Sequence, residues 1–147
     1  MMPARTCAAA IFGALVAATA APASADSLTY YRPPGSTFPL SEAVQAGDLL
    51  ILSGQIGVSK TGDFGEAAHS AMDRVVTVLK AHGSDVDHVV KCTILLADMK
   101  NFAAFNPIYA SYFKPDRLPA RTAMGVAALA GGAQLEVECW AYHPVSH

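Results

Sequence analysis

Apolar residues cluster at Ala43 to Ala46 and at Leu49 to Leu52, parted by Gly47-Asp48, and this pattern predicts two strands joined by a tight turn. Ser53-Gly54-Gln55-Ile56 is expected to extend the second strand. A glycine inside a strand marks either a bulge or the close approach of another group, and both readings stay open for Gly54. The period then lengthens. Ala68, Met72, Val75, Val76 and Leu79 recur at helical spacing, Asp63 with Glu66 three residues later resembles a capping box, and Gly83 offers a stop. Val89 to Ala97 is apolar and β-branched with Lys91 and Thr93 on one alternating face, as a central strand would be, and Asp98 to Asn101 turns the chain. Phe102, Phe105, Tyr109, Tyr112 and Phe113 share a helical face that Pro107 interrupts. The residues suggest that a short turn ends there and a new helix begins, with Asn106 as cap and Pro107 in its first position. Beyond a loop bracketed by Pro115 and Pro119, Arg121 to Val126 and Leu135 to Tyr142 alternate as strands around Gly131-Gly132. The order reads β-β-α-β-α-β-β. Tyr30 to Pro39, with Pro33-Pro34-Gly35, reads as an irregular surface lead-in that can still line a pocket.

The first 25 residues have another character. Arg5 precedes an alanine-rich run from Cys7 to Ala21, and Ala23-Ser24-Ala25 closes it before Asp26. That is the pattern of a signal peptide with a small-residue cleavage site, which implies a mature domain of 26–147 in the periplasm or secreted. A membrane anchor fits less well, because a spanning helix needs about 20 strongly apolar residues. The length of 147 residues allows one compact domain. Without Arg5, nine cationic side chains face twelve carboxylates, and the cations are scattered singly. A nucleic-acid surface, and with it RNA cleavage, is therefore disfavoured. Cys92 and Cys139 fall in strand-like runs and are expected to be buried free thiols rather than a bridge. His69, His82, His88, His143 and His147 show no metal-ligand spacing, so no metal site is expected.

Polar groups in apolar strands carry the candidate chemistry. In the terminal strand Leu135, Val137, Cys139 and Ala141 form the core face, which sends Glu136, Glu138 and Trp140 toward solvent or another subunit. Arg121 stands at a strand start after Leu118-Pro119-Ala120. A guanidinium holds a carboxylate through two parallel hydrogen bonds, and a glutamate can orient or deprotonate water. Spacing alone leaves Arg121 equally explained as an ordinary strand-end charge.

Pro119-Ala120-Arg121-Thr122, Val126 and Leu135-Glu136-Val137 resemble the terminal signature of the RidA/YjgF family. The likeness extends through Pro39 to Val44, Ser53-Gly54-Gln55, Asp98, Asn101-Phe102 and Asn106 to Phe113. It implies a chorismate-mutase-like α/β (α+β) single domain, a mixed sheet with two helices on one face, assembled as a homotrimer with clefts between subunits. It also implies hydrolysis of 2-imino acids to 2-oxo acids and ammonia, with Arg121 binding the substrate carboxylate and Glu136 helping water attack. Ser53, Gly54, Asn106 and Leu40 would border the pocket, and neither metal nor cofactor is implied. Glu138 is assigned only to the same face as Glu136.

Two positions depart from the family pattern. Leu40 stands where relatives carry tyrosine, and Ala123 where relatives often carry cysteine. A lost hydrogen bond of about 1 kcal/mol slows a reaction several-fold, or signals a different substrate. The main rival reading is a non-catalytic trimer that binds a small carboxylate through Arg121. A structural or partner-binding protein, in which Arg121 and Glu136 are dispensable, is a third.

Overall fold

Alternation along the last strand decides the layering of the molecule. In the computed structural model, which describes residues 28–144, Leu135, Val137, Cys139 and Ala141 are wholly buried while Glu136, Glu138 and Trp140 turn to the opposite side. The strands are β1 (Leu28–Tyr31), β2 (Ala43–Ala46), β3 (Leu49–Leu52), β4 (Gln55–Ile56), β5 (Val89–Leu96), β6 (Ala120–Gly125) and β7 (Leu135–Tyr142). The helices are α1 (Phe64–Ala81) and α2 (Phe102–Ala110). One sheet runs β1-β2-β3-β7-β5-β6, with β4 also pairing β7. Every pair is antiparallel except β5 with β6, whose parallel register is reached by the crossover that carries α2. The result is a mixed-sheet α+β domain with its core on one face.

Helix α1 presents Ala68, Ala71, Met72, Val75 and Leu79 to that face, all fully buried. Met72, Val75 and Leu79 each contribute roughly 1.5–3 kcal/mol on burial. Its start is capped by Asp63, whose carboxylate accepts from the Glu66 N–H at 2.8 Å. Glu66 does not complete a reciprocal capping box. Its carboxylate instead accepts from the hydroxyls of Thr61 and Ser59 and the amide of Lys60, which hold it below the usual carboxylate range. Gly83 ends the helix at φ +76°, a left-handed conformation that glycine enters without strain.

Four expectations change here. Leu28–Tyr31 forms an edge strand on β2, so Tyr30 and Tyr31, expected within the irregular lead-in, are regular instead, and the Glu42 N–H donates to the Tyr31 carbonyl where the two strands meet. Ser53-Gly54 breaks the second strand, so Gln55–Ile56 pairs separately with Val137 and Glu136. Helix α2 runs unbroken through Pro107 and Asn106 is not a cap. Pro107 and Ala103, whose carbonyl loses its partner, are both exposed, so water can take that bond. Finally, Cys92 and Cys139 are joined in a disulfide. They are direct partners across β5 and β7, with Cα atoms 4.2 Å apart and both side chains on the helix-facing side. Register, which places them opposite each other, is a long-range property that neither local run reveals.

The bridge spans 47 residues, for which chain entropy predicts up to about 4 kcal/mol of stabilisation. Denaturant titrations with and without a thiol reductant should therefore differ, the reduced protein being less stable by about 2–4 kcal/mol. Superimposable curves would show that the bond contributes nothing.

Candidate functional site

Arg121 enters the domain from the second residue of β6, on the side of the sheet that α2 covers. Its Nη2 donates to Oδ1 of Asn106 at 2.8 Å, and its guanidinium carbon lies 4.8 Å from the ring centre of Tyr109 and 5.5 Å from that of Phe102. Arg121 and Asn106, with Tyr109, Ala110, Leu118 and Pro119, line an open recess of about 310 Å³. Burial pushes the Tyr109 phenol up to about 12, against the opposing pull of the Arg121 charge. It therefore stays protonated at neutral pH.

A second group of polar atoms gathers elsewhere. Leu40, Ser53 and Gly54, with Phe38, Gln55 and Arg74 among their neighbours, line a groove of about 330 Å³. Ser53 is anchored by its hydroxyl, which donates to the Ser41 carbonyl at 2.6 Å, and by its amide, which donates to the Glu42 carbonyl at 3.0 Å. Leu40 is half exposed and offers the groove an apolar wall. The Glu136 carboxylate lies against Gly54 so closely that a Cβ there would stand 1.8 Å from Glu136 Oε1. Gly54 is thus both a break in the strand and a close approach. Glu138 is engaged differently, accepting from Trp140 Nε1 at 2.6 Å.

Within one chain these two groups do not meet. Arg121 is in register with Cys92 and Cys139, whereas Glu136 is in register with Leu95, which itself pairs with Met124. Two strands and three residues separate them, about 14 Å between backbones, and their side chains leave opposite faces. Asn106 and Arg121 stand in one group, and Leu40, Ser53, Gly54 and Glu136 in the other. Phe102 and Tyr109 also belong beside Arg121. Their place on one helical face was visible in the sequence, but the same spacing describes an ordinary core stripe. Among the described residues no group of three His, Cys, Asp or Glu side chains could hold a metal ion. Nor is any helix there long and apolar enough to cross a membrane.

A single mixed sheet covered by two helices on one face, with a group of polar atoms gathered around Arg121 and another around Glu136, defines a YjgF-type α+β protein. The structure is similar to that of a YjgF-family protein from Neisseria meningitidis, with a TM-score of 0.72 and 26% identity over 82% of this chain and 98% of that one. The family model described as endoribonuclease L-PSP matches residues 31–143, and the chain belongs to that family, the RidA/YjgF family. It is 41% identical over 113 residues to the mouse 2-iminobutanoate/2-iminopropanoate deaminase, covering 73% of this chain and 83% of the relative. It is also 41% identical over 114 residues to Reactive Intermediate Deaminase A, chloroplastic, of Arabidopsis thaliana, covering 74% of this chain and 60% of the relative. These relatives overturn the expectation of a periplasmic or secreted protein. Mouse cells have no periplasm, and the plant relative is named for an internal organelle. The signal-peptide reading itself rests on residues 1–25, which lie outside the described residues.

The Gly54 contact yields a direct test. In Gly54→Ala the three atoms nearest the new methyl, Oε1, Cδ and Cγ, all belong to the Glu136 side chain, so that side chain should be displaced, at about 1–3 kcal/mol. A crystal structure of the variant with Glu136 unmoved would refute this.

Proposed function

We propose that this protein hydrolyses 2-imino acids to 2-oxo acids and ammonia, at clefts formed between the subunits of a homotrimer. The observation that carries the reading is the Arg121 guanidinium, held at one nitrogen by Asn106 and facing an open recess. A planar, permanently charged fork in that position suits the carboxylate of a small 2-imino acid. Likeness to enzymes named for 2-iminobutanoate and 2-iminopropanoate supports the same substrate class.

The chemistry asks little of the protein. A protonated imine carbon is already electrophilic, so a positioned substrate, a water and one base suffice, and neither metal nor cofactor is required. Glu136 takes a proton as water adds to the imine carbon, giving a carbinolamine. Collapse of that adduct to the ketone expels ammonia, with a proton returned to nitrogen. Ser53 and Gly54 border the water and the reacting carbon, and Leu40 contacts the substrate side chain. The scattered cations argue against the RNA cleavage that the family description mentions.

The separation of Arg121 from Glu136 within one chain supports an intersubunit site, in which one subunit supplies Arg121 and Asn106 and its neighbour supplies Glu136, Gly54, Ser53 and Leu40. Trp140, Tyr142 and Met124, all substantially exposed on the face that no helix covers, suit the contact between subunits. Residues 1–25 are read as a leader cleaved from the domain of 26–147, on the pattern of Arg5, the alanine-rich run and Ala23-Ser24-Ala25.

Release of 2-oxobutanoate and ammonia from freshly generated 2-iminobutanoate tests the activity. Arg121→Ala and Glu136→Gln should each lower the rate by about a hundredfold or more. No acceleration by the parent protein, together with Arg121-dependent binding of 2-oxo acids, would favour the carboxylate-binding trimer instead. The assembly has its own test, because unfolding the two inactive variants together and refolding them as mixed trimers should restore about a quarter of the parent activity. Mixtures that stay inactive would exclude a site shared between subunits.

A further inference from the structure

Arg121 is surrounded on α2 by more than its hydrogen-bond partner. Phe102, Asn106 and Tyr109 stand at i, i+4 and i+7, one face of the helix, and all three meet the guanidinium. Tyr109 is buried and tilted against Phe105 and Phe113, at ring separations of 5.7 and 4.8 Å, so its position is set by the core. Its hydroxyl is buried with no hydrogen-bond partner among the described residues. The phenol is neutral, so what it offers Arg121 is the electron-rich ring and not a negative charge.

A half-buried arginine on a flexible stem loses rotamer freedom when it grips a ligand. Two aromatic rings restrict that freedom beforehand and keep water from part of the guanidinium, which strengthens its attraction for an anion. Asn106 takes one N–H of the five, and most of the fork remains for the recess.

We infer that Tyr109, with Phe102 beside it, is a positioning residue: its ring holds the Arg121 guanidinium in the orientation that receives the substrate carboxylate, and its hydroxyl has no part in the site. The inference rests on the proposed carboxylate role of Arg121 and adds the two residues that keep Arg121 ready for it. It assigns substrate affinity to a pair of side chains that never touch the imine carbon.

Two substitutions separate the ring from the hydroxyl. Tyr109→Leu keeps an apolar side chain and removes the ring, whereas Tyr109→Phe keeps the ring and removes the unpartnered hydroxyl. Calorimetric titration with 2-oxobutanoate and steady-state kinetics with 2-iminobutanoate are the readouts, with thermal unfolding run on each protein. In Tyr109→Leu, Kd and KM should rise roughly five- to thirtyfold, the span of a partly desolvated cation–ring contact, with kcat within about threefold of the parent. Tyr109→Phe should bind within about twofold of the parent and melt no lower. Phe102→Leu, at a half-buried position, should weaken binding in the same direction and carries the test if Tyr109→Leu fails to fold. Parent-like affinity in Tyr109→Leu would overturn the inference, as would an equal loss in Tyr109→Phe, which would give the role to the hydroxyl. A parent protein that binds 2-oxobutanoate through Tyr109 but does not accelerate imine hydrolysis would remove the deaminase reading and leave the aromatic support standing.

Discussion

The pairing of β7 with β5 on one side and with β3 and β4 on the other is the constraint on which this molecule depends. It is the only strand in the described sheet that touches both halves of the domain, and its period of two gives it two separate tasks. One set of side chains, Leu135, Val137, Cys139 and Ala141, closes the core against the helices. The alternate set carries Glu136 to the face the helices leave bare. Because a slip of one residue would exchange the two sets, the burial energy of the first fixes the placement of the second. The carboxylate is held where it is by hydrophobic packing that it takes no part in.

The parallel neighbour of β5 has the complementary arrangement. A parallel pair cannot be closed by a hairpin, so the chain must cross the sheet between β5 and β6, and the crossover delivers α2 onto the covered face. Arg121, at the beginning of the returning strand, emerges directly beside the helix that brought it there. Its partners Asn106, Tyr109 and Phe102 are therefore local consequences of the connection.

Much of this was legible in the sequence where a period repeats. Eight alternating residues from Leu135, or the helical spacing that runs from Ala68 to Leu79, leave little freedom in what they form. Leu28–Tyr31 escaped because pairing with β2 creates it rather than an apolar run of its own, and the break at Ser53-Gly54 escaped because Gln55–Ile56 takes its separate place from pairing with Val137 and Glu136. At Pro107 the local rule was sound in energy but weaker than the packing of Phe105 and Tyr109, which holds α2 through the missing bond. The bridge between Cys92 and Cys139 depends on register, which emerges only when the two strands are aligned. For the candidate site, Arg121 and Glu136 stood out as polar residues in apolar strands. That they leave opposite faces followed from the fold, and the aromatic residues around Arg121 were hidden among others equally suited to a core.

The two polar groups differ in how much of the chain must be ordered before each exists. Arg121 and Asn106 are 15 residues apart, so their clasp closes a short loop. The Glu136–Gly54 contact joins residues on opposite sides of the helix–strand–helix crossover and waits on the whole central sheet. Contacts between near neighbours in sequence form early and at small entropic cost, whereas distant pairings govern the pace of folding. The arginine side is thus a compact local unit closed at small entropic cost, and the glutamate side exists only with the finished sheet.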